Sequence, residues 1–135
     1  MKTLPGINMQ WPWSELLLSG KKTIETRTYP LPEKYKGIEL ALIETPGPRG
    51  KKEAGIEKAR IVGTIVFGDS VEYTSEKQWR KDSKRHLVDI KDSQFSWEKR
   101  DRHVWGWTVL KVTSLTNPAE VPKIRGIIFA KACEI

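Results

Sequence analysis

The run of residues 60–67 (RIVGTIVF) constrains the fold more than any other stretch of the sequence. It is apolar or β-branched at almost every position, which is typical of a strand that is buried on both faces or lines a barrel. A second run, residues 103–115 (HVWGWTVLKVTSL), alternates with a period of two and directs His103, Trp105 and Trp107 to one face. Both runs are therefore predicted to be strands.

Shorter elements are expected around these two strands. Trp13 and Leu17 recur at helical spacing, and Gly20 stands where a left-handed residue would end such a helix. Ser75, or the threonine before it, is a candidate N-cap for a later helix. Turn residues and apolar runs predict further strands at 4–10, 38–43 and 127–135, a basic loop at 45–52, a short helix ending near 59 and a turn at 117–118.

The composition describes an ordinary globular chain with a positive surface. Its 135 residues suit one hydrophobic core, so we expect a single domain over residues 1–135. A net charge of +7 and a pI near 9.6 favour polyanions, although a basic surface serves solubility equally well. The lone Cys133 and two histidines give no disulfide and no zinc-ligand spacing. Without a secretory or membrane-spanning segment, we expect a cytoplasmic protein with no membrane contact and no metal or other cofactor.

Aromatic residues are concentrated in a few places. Six tryptophans are many for this length, and we expect some to line a cleft because each buried indole needs a partner for its N–H. Residues 75–102 are polar and interleave basic side chains with Trp79, Phe95 and Trp97. That pattern fits either a surface for single-stranded nucleic acid or a solvated helix and loop with a few docked rings. His86 and His103 are expected to be solvated.

The stretch 20–27 (GKKTIETR) offers the best clue to function. It joins the apolar helix to a strand in which a period of two directs Glu25, Arg27 and Tyr29 to one face. Lys22 lies in the turn beside them. These residues are predicted to form a compact polar site of both signs, able to bind a phosphate, a base edge or another polar substrate.

The same stretch carries a family resemblance. Gly20, Lys22, Glu25 and Arg27, preceded by Gln10-Trp11-Pro12-Trp13, resemble the Gly-x-Lys-x-x-Glu-x-Arg signature of the ASCH domain. Residues 105–110 (WGWTVL), Pro118 and Gly126 resemble its later strands, so the resemblance covers most of the chain. It implies an α+β fold, a small mixed PUA-like β-barrel with a few flanking short helices. Residues 75–102 would be an insertion in that domain.

The resemblance also implies a ligand. PUA-like domains are related to domains that bind RNA and, in the EVE relatives, modified bases, so RNA or a modified nucleoside is the expected partner, with DNA possible. The expected site is the cleft between the first helix and the barrel. There Lys22 and Arg27 would contact a phosphate or base carbonyl, and Glu25 would accept from a base amino group or orient Arg27. The remaining expected contacts are aromatic: Trp11, Trp13, Tyr29 and Trp105.

Three alternatives stay open. ASCH proteins include reported ribonucleases and a branch that deacetylates N4-acetylcytidine, whose catalytic lysine matches Lys22. That branch has threonine where this chain has Glu25, which counts against the activity here. A hydrolase would use Lys22 as general base with Glu25 as its proton partner, although neighbouring charges disfavour a neutral lysine. Glu25 and Arg27 could instead form a structural ion pair, or exposed tryptophans could anchor a protein partner.

Overall fold

The computed structural model describes residues 2–88, 97, 104–123 and 126–135. In this part of the chain six strands form one sheet: β1 (Thr3–Gln10), β2 (Ile24–Arg27), β3 (Glu39–Thr45), β4 (Arg60–Tyr73), β5 (Val104–Ala119) and β6 (Phe129–Glu134). The α-helices among the same residues are short: α1 (Trp13–Leu18), α2 (Gly47–Glu53), α3 (Glu76–Lys81) and α4 (Ser83–His86), and a 3-10 turn spans Glu33–Tyr35. The predicted α+β class is confirmed.

The strand order is β2-β5-β4-β3-β1-β6, and β1 runs parallel to β3 while the other neighbours are antiparallel. The sheet is mixed, as predicted, but the predicted barrel is wrong because the sheet stays open with β2 and β6 as its edges. β2 is only four residues long and pairs with β5, and β6 pairs with β1 over residues 3–7. The second half of β1 therefore faces β2 across a gap, and the two strands are not paired.

The core lies on both faces of the central strands. Along β3 the leucines at 40 and 42 enter one buried cluster, whereas Ala41 and Ile43 enter another. This alternation is what a period of two requires of a strand buried on both faces. β4 also contributes to both clusters, with Phe67 in the first and Ile61 in the second, because an irregularity between Ile61 and Gly63 shifts the alternation. The predicted strand at residues 60–67 is confirmed. Leu17 packs α1 against the first cluster.

The connection from α1 to β2 follows the sequence closely. Gly20 has a φ of +80°, a left-handed conformation that costs glycine little, and its N–H bonds the carbonyl of Leu17 at 3.2 Å. The next turn is held by the Lys22 N–H, which donates to the carbonyl of Leu16 at 2.9 Å. The helix therefore ends where predicted, and the connection that carries Lys22 leads into β2.

The stretch predicted to be a basic loop forms α2 instead. Proline composition suggested a loop at 45–52 with a helix after it, but the helix occupies Gly47–Glu53. Pro48 lies in its first turn, where a missing N–H is no loss. Gly50 donates to the carbonyl of Pro46 at 2.8 Å and packs tightly against Trp11, so tertiary contact stabilises the short helix.

Two further boundaries differ from expectation. β5 continues to Ala119 through the predicted turn at 117–118, and the β4–β5 register shifts there, so the turn survives as an irregularity within the strand. In the first part of the polar segment, Ser75 is the N-cap of α3 and accepts from the Gln78 N–H at 3.2 Å, which confirms that prediction. Phe95 and His103 lie outside the described residues.

Candidate functional site

Lys22 lies at the innermost end of the predicted site. Its side chain is only 1% exposed, and its ammonium donates to the main-chain carbonyl of His86. The same Nζ lies 3.7 Å from Glu25 Oε1 and 5.0 Å from the centroid of the Trp13 ring. A lysine buried this deeply needs such partners, because removing an ammonium group from water is costly. The turn after α1 therefore holds a buried lysine in place, and the neighbouring groups offset the loss of its hydration.

Glu25, Arg27 and Tyr29 share one face, as the period of two predicted. Arg27 Nε donates to Glu25 Oε2 at 2.9 Å, and an η nitrogen donates to the Tyr29 hydroxyl at 3.3 Å. The other η nitrogen lies 3.2 Å from the carbonyl oxygen of Asn8 and 3.5 Å from the sulfur of Met9, both on β1. The guanidinium therefore spans the gap between the edge strand β2 and the second half of β1.

The electrostatics keep this arginine charged. Burial alone lowers the pKa of Arg27, but the Glu25 carboxylate and the Tyr29 hydroxyl outweigh it and raise that pKa above its ordinary value. The ring of Trp107 lies 5.4 Å from the guanidinium carbon and adds a cation–π contact. Arg27 is thus a permanent cation held from four sides.

A cavity of about 610 Å³ occupies the gap between β1 and β2. Its polar wall contains Lys22, Glu25 and Arg27, two cations and one anion. Apolar side chains complete the wall, and small polar groups lie between them; the lining comprises Asn8, Met9, Gln10, Trp13, Lys22, Glu25, Thr26, Arg27, Thr45, Val88, Gly126 and Ile127. A concave site of this volume with apolar walls and a few convergent polar groups is typical of small-molecule binding.

Of the four predicted aromatic residues, one lines this cavity and three do not. Trp13 lines it, whereas Trp11, Tyr29 and Trp105 are absent from its lining. Trp11 donates its indole N–H to Glu15 at 2.8 Å beside α2. Tyr29 packs edge-on against Trp107 and supports Arg27, and Trp105 packs half-buried against the core.

The polar segment after β4 contributes a wall of the site. His86 was expected to be solvated, but it is fully buried and stacks on Trp79 with ring centroids 4.6 Å apart. Its Nδ1 accepts from the Val88 N–H at 3.0 Å, so we assign the proton to Nε2, which donates to the Trp79 carbonyl at 2.8 Å. This packing fixes Val88 in the cavity wall and the carbonyl that binds Lys22.

Sequence reasoning missed eight residues of the cavity lining, among them Asn8, Val88 and Ile127. Asn8 was expected only as part of a plain first strand, yet its amide nitrogen donates to the carbonyls of Gly126 and Ile127 at 2.9 Å each. Its Oδ1 is buried, with no hydrogen-bond partner among the described residues. Ile127 is 96% exposed and lies at the cavity mouth. A polar side chain inside an apolar strand was the available signal for Asn8, whereas Val88 and Ile127 gave none.

Other kinds of site find no support in the described part of the chain. Over residues 2–88, 97, 104–123 and 126–135, no three His, Cys, Asp or Glu side chains group as metal ligands would. Across the same residues, no helix is both long and apolar enough to cross a membrane.

Comparison with known proteins identifies the fold. No protein-family profile matches the sequence, and no curated protein sequence matches it. A crystal structure of an ASCH protein from Zymomonas mobilis is similar, with a TM-score of 0.63, 14% identity and coverage of 86% of this chain and 72% of that one. The chain has an ASCH-like fold. Two mutants of that protein match similarly, with TM-scores of 0.62 and 0.61, identities of 14% and 15%, and coverage of 86% of this chain and 72% and 74% of theirs.

The ASCH resemblance drawn from the motif is thus confirmed at the level of the fold. In the ASCH-like fold of this chain, Gly20 and Lys22 turn the backbone from α1 into the edge strand, and Glu25 and Arg27 lie on that strand. Three of the four motif residues, Lys22, Glu25 and Arg27, therefore line the cavity at the opening of the sheet. At these identities the likeness concerns architecture, and function has to be argued from the cavity.

Proposed function

We propose that this protein binds nucleic acid, with one base of an RNA, or a modified nucleoside, held in the cavity between β1 and β2. The observation that carries the proposal is the cavity itself, where Lys22, Glu25 and Arg27 meet apolar walls in a volume of about 610 Å³. That volume lies within the range of about 300–1,000 Å³ usual for small-ligand sites. A base has apolar faces and a polar edge, so this mixed lining suits it.

The polar wall offers a base edge both kinds of partner. Glu25 Oε2 is engaged by Arg27 at 2.9 Å, whereas Oε1 lies 3.7 Å from Lys22, beyond hydrogen-bond distance. Glu25 Oε1 is the group we assign to accept from a base amino or imino N–H. Arg27 would donate to a ring nitrogen or carbonyl beside it, since a guanidinium has five N–H donors. Asn8 Oδ1 supplies a second buried acceptor nearby.

The apolar wall would hold the faces of the base. Trp13 offers an aromatic surface, and base–aromatic stacking contributes about 1–3 kcal/mol per base. Val88 is a buried part of the cavity wall. Ile127 is exposed at the mouth of the cavity, where it can cover a bound ring. An isoleucine that is 96% exposed gains from such a contact because the ligand removes its surface from water. The ASCH-like fold supports RNA only by analogy with PUA-like domains.

Tryptophan fluorescence tests the proposal, since Trp13 lines the cavity. We would titrate the protein with single-stranded RNA, duplex DNA and a set of modified nucleosides at two salt concentrations. Ile127→Asp places a carboxylate at the mouth of the cavity. The control, Leu110→Asp, introduces the same charge at a residue that is 62% exposed and does not line the cavity. We expect Ile127→Asp to weaken binding about tenfold, or ~1.4 kcal/mol, and Leu110→Asp to leave it unchanged. Equal affinities in both variants would show that the ligand does not bind in the cavity.

The hydrolase alternative is less well supported. A general base at position 22 has to be a neutral amine, whereas the His86 carbonyl and the Glu25 carboxylate both stabilise the ammonium form. Incubating the protein with RNAs and acylated nucleosides tests this directly. Product formation that disappears in Lys22→Met would favour the hydrolase over simple binding.

A protein partner is also less well supported than RNA. None of the six tryptophans is fully exposed, and Trp79 and Trp107 are buried, so they do not form a set of surface anchors. Binding to a protein through an apolar surface would respond little to salt, whereas binding to RNA weakens steeply as salt rises. The two salt concentrations of the titration separate these outcomes.

A further inference from the structure

The cations of the cavity are already engaged by the protein. Arg27 contacts Glu25, Tyr29 and main-chain and side-chain atoms of β1, and Lys22 contacts the His86 carbonyl and Glu25. These contacts hold both groups beside a base edge but leave them little capacity to follow a phosphate chain. A polynucleotide carries one negative charge per nucleotide and needs exposed, adjustable cations along its path. Those cations have to lie outside the cavity.

One exposed basic element that adjoins the cavity wall is α2. We define the α2 surface as Arg49, Lys51 and Lys52, all exposed on this short helix. The surrounding stretch, residues 47–60, carries five basic and two acidic side chains, so much of the chain's positive excess is concentrated there. Glu53, one of the two acids, is paired with Arg49 at 2.9 Å, which leaves the two lysines as the main positive charges of the surface.

The α2 surface continues directly from the cavity wall. Gln10 and Thr45 both line the cavity, and the main-chain N–H of Trp11 donates to the main-chain carbonyl of Thr45 at 2.8 Å. α2 begins two residues after Thr45, and its Gly50 lies so close to Trp11 that an added Cβ would stand 3.3 Å from the Trp11 Cβ. A chain leaving the cavity past Gln10 therefore meets Trp11 and α2 next.

Trp11 supports this surface beneath Arg49 and is itself held by Glu15. The Arg49 guanidinium lies 5.6 Å from the centroid of the Trp11 ring, and Glu15 holds the indole N–H at 2.8 Å. The ring is thus fixed in place, and the arginine is 58% exposed above it. A planar cation over an aromatic ring is a favourable neighbour for a phosphate or a stacked base. This gives Trp11 a position beside the ligand path although it does not line the cavity.

We propose that the α2 surface binds the sugar–phosphate backbone of a single-stranded RNA whose base occupies the cavity. The inference rests on the proposed function and deepens it, because it makes the natural ligand a polynucleotide and not a free nucleoside. Lys51 and Lys52 contact phosphates, and Arg49 contacts a phosphate or stacks beside Trp11. Affinity should therefore increase from a nucleoside to a short oligonucleotide, and the increase should depend on α2.

The test compares two double variants with the same loss of charge. Lys51→Ala/Lys52→Ala removes both lysines of the α2 surface, and exposed alanines suit a helix. The matched control is Lys111→Ala/Lys131→Ala, two exposed lysines on β5 and β6 that do not line the cavity. Each protein is titrated with the four homohexanucleotide RNAs and with the four corresponding nucleosides, over a series of salt concentrations.

For the hexanucleotide that binds wild type best, we expect the α2 variant to bind about tenfold more weakly or worse. The slope of log affinity against log salt is negative, and its magnitude should decrease by about 0.7 for each phosphate that the variant no longer neutralises. Nucleoside affinity and the control variant should match wild type. Equal slopes and affinities in the two double variants would overturn the α2 path while leaving the cavity proposal standing. No binding of any hexanucleotide or nucleoside by wild type would overturn both.

Discussion

Glu25 and Glu44 are two buried carboxylates in the same sheet, and each is paired with an arginine. Glu25 is 6% exposed and accepts from Arg27 at 2.9 Å, and Glu44 is 4% exposed and accepts from Arg60 at 3.1 Å. The difference lies in what surrounds each pair. Glu25 lines an open cavity, whereas Glu44 is outside its lining and accepts from the Ser14 hydroxyl at 2.7 Å.

A buried carboxylate–arginine pair does not by itself identify a functional site. Glu44 joins α1 to β3 and β4 through Ser14 and Arg60, so its two oxygens are both used within the protein. Glu25 stands between two cations, Lys22 and Arg27, and keeps one oxygen beyond hydrogen-bond distance of either. The open sheet edge beside Glu25 makes that oxygen available to a ligand. Substitutions in and around the two pairs test this contrast.

Removal of the Glu25 carboxylate should have the largest effect on stability. In Glu25→Ala the Lys22 ammonium stays 1% exposed without its counter-ion, a situation that typically costs about 3–5 kcal/mol. Urea unfolding followed by circular dichroism measures the loss. A loss below about 1 kcal/mol would mean that the ion pair is solvated in solution, and the contrast with Glu44 would then disappear.

Removal of the Glu44 carboxylate should cost less. Glu44→Ala leaves the Ser14 hydroxyl buried without this acceptor, but Arg60 is 46% exposed and can be rehydrated. We expect a loss of about 1–3 kcal/mol in the free energy of unfolding. RNA affinity should stay at the wild-type value after correction for the folded fraction. A specific loss of binding would show that Glu44 belongs to the site after all.

The Tyr73–Asp82 hydrogen bond tests whether the segment after β4 is part of the folded core. Burial first, and then the hydrogen bond and charge of Asp82, raise the pKa of Tyr73 well above its ordinary value. The neutral phenol is therefore favoured in the folded state, so its stabilisation is complete below pH ~10 and is lost as the pH rises above that.

Tyr73→Phe should accordingly lose about 0.5–1.5 kcal/mol at neutral pH. Its stability should also fall less than that of wild type between neutral and strongly alkaline pH. Chemical unfolding at several pH values measures both effects. Parallel pH profiles for the two proteins would indicate that α3 and α4 do not pack against β4 as described, and the wall that carries Val88 would be in question.

The pair formed by Glu39 and Lys2 is exposed to solvent, so it is a reference for the contribution of the two buried carboxylates to stability. Its hydrogen bond to Lys2, at 3.0 Å, lowers its pKa, and the lysine side chain is 63% exposed. Stabilisation by this pair is present above the ordinary glutamate pKa and is lost as the pH falls through the lowered value. Lys2→Ala should change the free energy of unfolding by less than about 1 kcal/mol. A larger change would show that exposure does not predict the contribution of ion pairs in this protein.

The sequence predicted the local parts of this structure well. Apolar periodicity gave the central strands and α1, Gly20 marked the end of the helix, and a period of two placed Glu25 and Arg27 on one face. Each of these features depends on residues close together in the chain, where side-chain direction and turn conformation follow from local geometry. The motif also led to the ASCH-like fold that the structural comparison confirms.

Features that depend on distant contacts were predicted poorly. The expected barrel needed β2 to pair with a second strand, and nothing in its four residues indicates that β1 remains across a gap. His86 lies in a polar segment, so its burial against Trp79 was not apparent. The proline and glycine residues of α2 suggested a loop, but the packing of Gly50 on Trp11 stabilises a helix there. The open edge, which creates the cavity, was thus the least accessible feature of the sequence.

The assignment of Glu25 to the binding site can be tested by calorimetric titration of a single-stranded hexanucleotide RNA into two isosteric variants, Glu25→Gln and Glu44→Gln. Each variant keeps the shape of its side chain and removes one buried negative charge, and circular dichroism is used to check that each is folded. We predict at least about a tenfold loss of affinity in Glu25→Gln, or ~1.4 kcal/mol, and wild-type affinity in Glu44→Gln. Wild-type affinity in both variants would contradict the assignment of Glu25 to the binding site.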